Sequence, residues 1–335
     1  MNLDKSPYII AEIGNNHDGD FNKAKDLVYA AKEAGVNSVK FQCIDYEKWI
    51  SAELPTFKRA LSSGMRSQLE RLKAIELSID QYIELAKLCK KLSLDFGCTI
   101  FDKKILKALE NYLSYRKISS GEIFNIDTIN LHKDSNVPII ISTGLARDFS
   151  DIENALSLLS ENNFYILHCV SCYPLPIENA SMTNITLLHK KYGIDKVGYS
   201  DHTVGLEACS FALALGCKVI EKHFKLNEDS DIGDKPLSSD PSEMSKLVQI
   251  AKNWTAKENN LLSLGWESDS KNQLIRKAHT YIDLEPGTLL TKENCKFIIS
   301  GRGDLNSFDV EKMNYLTKTF IPKDKPIYLK DIIKS

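Results

Sequence analysis

The chain has 335 residues, 43% hydrophobic and 26% charged, with a formal net charge of −2. That length is too great for one small core and fits one large domain plus a small one. The weak charge gives no footing for nucleic acid or an anionic membrane surface, and no apolar run nears the roughly 20 residues a membrane span needs. The start, "MNLDKSPYII", lacks the basic and apolar regions of a signal peptide, so a cytoplasmic enzyme is expected. Eight cysteines, most inside apolar runs such as those around Cys98, Cys169, Cys209 and Cys217, fit reduced core thiols. Cys169 and Cys172 have CxxC spacing, but no second CxxC accompanies them.

In chain order, "YIIAEIG" (8–14) reads as a strand, and "FNKAKDLVYAAKEAG" follows with apolar residues at helical spacing, stopped by Gly35. "SVKFQ" (38–42) is the second strand, and helical patterns cover about 65–75 and 79–92. Further strands are expected at 95–100, 115–120, 138–144, 164–170, 197–201 and 218–224. Between them lie helical stretches such as "DIENALSLLSEN" and "LEACSFALALG". Eight near-continuous apolar strands alternating with helices over roughly 250 residues favour a closed (β/α)8 TIM barrel over an open sheet. No G-x-G-x-x-G follows the first strand, which argues against a dinucleotide fold.

A barrel of this kind carries its chemistry at the C-terminal ends of its strands. Polar residues gather there: Glu12 and Asn16, Lys40 and Gln42, Thr99 and Asp102, then Lys117, Ser120 and Glu122. Ser142 and Thr143, His168 and Ser171, then Ser200, Asp201 and His202, and finally His223 complete the series. Strands that merely end in polar loops explain Ser and Thr well. They explain two lysines inside apolar runs and two terminal histidines poorly, because burying Lys or His unpaired is costly.

His202 in "VGYSDHT" and His223 in "KVIEKHF" end neighbouring strands, so their imidazoles can reach one divalent cation. Two ligands leave the other positions to water or substrate, which suits a Lewis acid rather than a structural zinc. The alternative role for both is hydrogen bonding or acid–base work. Lys40 and Lys117, with the hydroxyls of Thr99, Ser120, Ser142 and Ser200, make a cradle for phosphate plus carboxylate. The bland alternative pairs each lysine with Glu12 or Glu122. Those two carboxylates could otherwise orient sugar hydroxyls or move protons.

The barrel is expected over 1–265 and a linker, opening in the polar "WESDSKNQ", over 266–278. A small β-rich domain is expected over 279–335. It contains two similar segments, "HTYIDLEPGTLLTKEN" and "TFIPKDKPIYLKDI", a weak internal duplication.

Together "IAEIGNNHDGDFNKAKDLVYAAKEAGVNSVKFQ", "KISSGE", "IIISTG", "ILHCVSCYPLP", "VGYSDHT" and "IEKHF" closely resemble the sialic acid synthase family, from about residue 8 to the end. The resemblance implies a transferase that condenses phosphoenolpyruvate with an N-acylated amino sugar to a nonulosonic acid. It implies Mn²⁺ or Mg²⁺ on His202 and His223. Phosphoenolpyruvate would be held by Lys40, Thr99, Lys117, Ser120, Ser142, Ser171 and Ser200. Glu12, Gln42, Tyr173 and Asp234 match positions near sugar and metal, and Glu122 matches an acidic residue beside the reacting carbons. The tail resembles the family's antifreeze-like (SAF) domain, which covers the partner's active site in a swapped homodimer. Two departures fall in known motifs: Ser171 stands where the family has Asn, and Ile299 where it has an Arg that reaches the sugar's N-acyl group. Arg302, in "GRGD", is the candidate replacement. The departures point to an altered acceptor, such as a legionaminic- or pseudaminic-type precursor. A synthase for a different or phosphorylated sugar, and a non-catalytic sugar-binding relative, stand beside this reading.

Overall fold

The computed structural model describes residues 7–57, 64, 65, 67–159, 164–227, 233–253 and 274–334. The chain divides into two compact units, Met1–Ala256 and Lys257–Ser335. Most of the expected linker lies outside the described residues, and its last two residues, Lys277 and Ala278, already begin a strand.

In the first unit, strands β1 (Tyr8–Gly14), β2 (Ser38–Gln42), β3 (Asp95–Thr99) and β4 (Tyr115–Ile118) come in sequence with β5 (Ile139–Ser142), β6 (Phe164–Cys169), β7 (Val197–Asp201) and β8 (Val219–His223). They close, all parallel and in chain order, into one barrel. This is the (β/α)8 barrel that the alternation of apolar runs predicts. The expected strands overran by one or two residues at the ends of β3, β4, β5, β6 and β8. After β4, Ser120–Phe124 winds into a 3₁₀ turn instead of extending. The first helix, Phe21–Ala34, is capped by the Asp20 carboxylate and ended by Gly35 at φ 83°.

Strand residues alternate between lumen and helix layer. Tyr8, Ile10, Tyr115, Ile140, Leu167 and Val219 fill the lower lumen. Their neighbours of opposite parity, among them Ile9, Ile139, Ile166 and Ile220, join the large core beneath the helices. Gly97 is needed for this filling, since a Cβ there would lie 2.2 Å from Cζ of Tyr115. Among the described residues no helix is long and apolar enough to cross a membrane.

The second unit holds two antiparallel pairs, β9 (Lys277–Thr280) with β10 (Cys295–Ile298) and β11 (Tyr315–Thr317) with β12 (Ile332–Lys334). Its core includes Ala278, Leu284, Leu290, Cys295, Ile321, Ile327 and Ile332. The suspected duplication appears as matched hydrogen bonds. Thr280 Oγ1 donates to the Pro322 carbonyl at 2.6 Å, and Thr317 Oγ1 donates to the Glu285 carbonyl at 2.6 Å. Each hydroxyl also accepts an amide from the other half, Lys325 at 3.1 Å and Thr288 at 3.0 Å. Leu284 and Ile321 exchange both backbone bonds at 2.9 Å.

One buried group of the first unit ties stability to pH. His132 closes the helix Ile126–His132, and its Nε2 lies 2.9 Å from the Ile100 carbonyl, to which it donates. Burial, helped by Arg116, pushes its pKa down to about 4. The unfolded chain therefore binds this proton first, and stability drains as pH falls from about 6.5 to about 4, by about 3 kcal/mol at most. Urea midpoints at pH 7 and 4.5 check this: His132→Gln should lose less between the two than the parent does. Equal losses would show that His132 does not carry the proton linkage.

Candidate active site

Lumen-facing positions at the C-terminal ends of the strands are charged. Register sets Glu12 opposite both Lys40 and His223, and Ser200 opposite Glu221. Lys40 Nζ lies 2.7 Å from Glu12 Oε2 and 3.9 Å from Glu221 Oε2, and donates to Thr99 Oγ1 at 3.3 Å. Lys117 Nζ lies 4.0 Å from Glu221 Oε1 and donates to Ser142 Oγ at 2.6 Å. Ser200 Oγ donates to Glu221 Oε1 at 2.9 Å, and Gln42 Nε2 to Glu12 Oε1 at 2.9 Å. Two ammonium groups and two carboxylates thus share one buried space.

Their titration follows from that packing. Burial raises the Glu12 carboxyl against the pull of Lys40. Burial would raise Glu221 as well, but Lys117 and Lys40 hold it below the usual carboxylate range. Burial lowers Lys117 despite Glu221. At Lys40 the two carboxylates outweigh burial and raise the ammonium. The pairing expected as the bland alternative is therefore real for Lys40 and Glu12. Neither lysine pairs with Glu122. Glu221 was not singled out from the sequence; its signal was its parity, two residues before His223 on β8.

Hydroxyls complete the cradle. A Cβ on Gly144 would lie 2.4 Å from Ser171 Oγ and 2.6 Å from Ser120 Oγ, so these two serines flank the backbone after β5. Ser171 Oγ is buried with no hydrogen-bond partner among the described residues. Such a donor is open to a ligand oxygen.

The two histidines meet as expected, with ring centroids 5.5 Å apart. Tyr173 lies tilted against His202 with ring centroids 4.0 Å apart and meets His223 edge-on at 6.4 Å. His202 Nδ1 lies 2.7 Å from the Val170 carbonyl, which makes Nδ1 the donor and leaves Nε2 as acceptor. Burial would lower this imidazole, but Cys169, the Val170 carbonyl and Asp234 raise it. His223 is pushed well below its usual range by burial, His202 and Lys40, and its Nδ1 is buried without a hydrogen-bond partner. A neutral imidazole with an unused nitrogen fits a cation. Among the described residues no set of three or more His, Cys, Asp or Glu forms a ready-made cage.

Other expected site residues lie elsewhere. Glu122 sits in the 3₁₀ turn after β4, and its carboxylate accepts from Thr128 Oγ1 at 2.5 Å, Asn125 Nδ2 at 3.0 Å and Trp49 Nε1 at 3.2 Å. It lines a cavity of about 660 Å³ with Trp49, Phe101, Asp102 and Leu131, beside the loops that follow β2, β3 and β4. Asp102 caps the next helix and pairs with Lys48 at 2.9 Å. Asn16 ties the loop after β1 to the Phe224 carbonyl at 2.8 Å. His168 and Asp201, expected among the mouth groups, have outward parity. His168 bonds the Ala180 carbonyl at 2.8 Å and stacks on Tyr199, and Asp201 pairs with Lys222. Cys169 is buried and Cys172 exposed, both free. Arg302 is exposed in the second unit, where Ser300 Oγ accepts from its amide at 3.2 Å.

Polar groups converging from nearly every strand on one end of a closed parallel barrel place the chain among the (β/α)8-barrel enzymes. The NeuB family model matches residues 27–260. The chain belongs to this sialic acid synthase-like family, and the two small antiparallel sheets of its second unit fit the antifreeze-like domain expected from the sequence. An N,N'-diacetyllegionaminic acid synthase of Legionella pneumophila is 33% identical over 88% of this chain and 86% of its own length. A pseudaminic acid synthase of Helicobacter pylori is 30% identical over 98% of each chain. A crystal structure of an N-acetylneuraminic acid synthetase from Leptospira borgpetersenii, in complex with citrate, superposes with a TM-score of 0.71 at 30% identity, over 81% of this chain and 93% of that one.

Glu221 sets the charge of the cradle. At 4.0 Å its carboxylate supports the Lys117 ammonium against burial. Glu221→Gln should therefore move the alkaline limb of inorganic phosphate binding to lower pH by at least about one unit. Calorimetric titration between pH 7 and 10 reads this, and an unmoved limb would show that Lys117 does not depend on Glu221.

Proposed function

We propose that the protein is a nonulosonic acid synthase that condenses phosphoenolpyruvate with an N-acylated amino hexose. The observation that carries this reading is the buried pair of ammonium groups, Lys40 and Lys117, at a hydroxyl-rich mouth beside two imidazoles. Lys40 and Lys117 would exchange their carboxylate partners for the phosphate and carboxylate of the ligand. Thr99, Ser120, Ser142, Ser171 and Ser200 would donate to its oxygens. Gln42, Glu12, Tyr173 and Asp234 would meet the sugar. A divalent cation, Mn²⁺ or Mg²⁺, held by His202 and His223, would supply Lewis-acid polarisation of the acceptor aldehyde. C3 of phosphoenolpyruvate bonds to the aldehyde carbon, whose oxygen takes up a proton. Water adds at C2, and phosphate leaves by C–O cleavage. Glu122, fixed by three donors, is suited to orient a hydroxyl or move a proton.

Of the departures from the family pattern, Ser171 keeps a donor on the phosphoenolpyruvate side, whereas Ile299 falls on the acceptor side. With relatives named for legionaminic and pseudaminic acids, Ile299 supports a 2,4-diacetamido hexose acceptor. Phosphate release and product mass should be followed with phosphoenolpyruvate, Mn²⁺ and a panel of free and phosphorylated amino hexoses. One free diacetamido sugar should give a nine-carbon acid. His202→Ala should cut the rate at least about 100-fold, in line with the several kcal/mol a Lewis acid contributes. Phosphate release untouched by chelation would exclude the cation role, and turnover of phosphorylated sugars alone would reassign the acceptor.

We also propose a homodimer in which the small domain covers the partner's barrel mouth. Support comes from exposed Phe124, Ile126, Leu145, Ile177 and Val204, apolar residues in the loops after four successive strands. The small domain likewise exposes Ile298, Ile299 and Phe308, near Arg302 in sequence. If Arg302 acts on the partner's site, mixing inactive Arg302→Ala and His202→Ala chains should restore about a quarter of the parent activity. No recovery from a mixed dimer, confirmed by native mass spectrometry of differently tagged chains, would place Arg302 on its own chain's site.

A further inference from the structure

Behind the two imidazoles, on the opposite face of β7 and β8, lies a buried ion pair that the chemistry above does not use. Lys222 and Asp201 are register partners with fully buried side chains, and Lys222 Nζ donates to Asp201 Oδ2 at 2.6 Å. The same ammonium donates to the Thr203 carbonyl at 2.5 Å. Asp201 also accepts from the Tyr199 hydroxyl at 2.9 Å, the Thr203 amide at 2.9 Å, Thr203 Oγ1 at 3.2 Å and Cys209 Sγ at 3.3 Å. The order of these residues is the informative point. Asp201 and Thr203 stand immediately before and after His202, and Lys222 stands immediately before His223. One ammonium group therefore grips the chain on both sides of the first histidine and is itself the neighbour of the second. A buried ion pair is a weak source of stability, because desolvating both charges offsets most of their attraction and apolar residues of equal size often serve as well. A pair so placed has geometry as its evident benefit.

We propose that Lys222 and Asp201 are positioning residues that fix His202 and His223 relative to one another for cation binding. The inference rests on the reading of these histidines as a cation site. Groups packed behind metal ligands commonly change affinity 10–100-fold when altered.

Lys222→Met alone leaves a buried carboxylate uncompensated and is expected to melt early. The informative protein is the charge-free pair Asp201→Asn/Lys222→Met, purified as the full chain. Three quantities are measured on it and on the parent: the melting temperature, Mn²⁺ affinity by electron paramagnetic resonance, and the imidazole ¹⁵N resonances of His202 and His223. The expected result is a melting temperature within a few degrees of the parent, Mn²⁺ binding at least about tenfold weaker, and shifted resonances for these two rings but not for His132. Unmoved ring resonances overturn the inference, whatever the Mn²⁺ affinity. Shifted resonances with unchanged Mn²⁺ affinity overturn it too. If the parent takes up no Mn²⁺, the cation reading itself falls, and the resonances alone decide whether the pair positions the rings.

Discussion

Glu12, Lys40, Glu221 and Lys117 occupy a space that water screens poorly, and the barrel mouth is built on their mutual neutralisation. Any one of them alone in that lumen would be forced towards its uncharged form. Together they offset that cost, fully at Glu221 and Lys40 and in part at Glu12 and Lys117, because the closed barrel fixes which strand ends face inward and which neighbours meet. Glu12 and Lys40 are register partners, and Glu221 reaches both ammonium groups. A neutral cluster of this kind keeps two ammonium groups out of solvent. An anion entering the proposed site would compete with carboxylates already in place, so its affinity would depend on how readily those carboxylates yield.

The strands and their polar ends were legible because a parallel barrel makes both visible. Fully buried strands read as apolar runs, and charge inside such a run has few innocent explanations. Lys40, Lys117, His202 and His223 stood out for that reason. The limits were set by parity and by side-chain direction. His168 and Asp201 end strands just as Ser200 does, but their parity turns them into the helix layer, where they serve structure. Glu221 escaped notice because an acidic residue beside Lys222 reads as an ordinary surface pair, although the two point to opposite faces of the barrel wall. Glu122 was found, yet its carboxylate turns towards Trp49 and Thr128, a choice made by donors that only the fold assembles.

The end of β7 and β8 shows how one stretch can hold two tasks. Ser200 and His202 face the lumen, while Asp201 between them anchors the strand pair from behind. Changing the central residue of such a triplet would disturb the outer two without touching the substrate. Sensitivity to substitution is therefore a poor guide to contact in this region.

The small domain carries a different consequence. Its halves interlock: each threonine hydroxyl closes a turn belonging to the other half, and Leu284 and Ile321 bond reciprocally across the seam. Neither half then owns a complete set of backbone partners. A chain emerging from the ribosome must therefore release Ile321, Pro322 and Lys325 before Leu284 and Thr280 gain their partners. Premature termination between the halves would leave Thr280 and Leu284 without those partners.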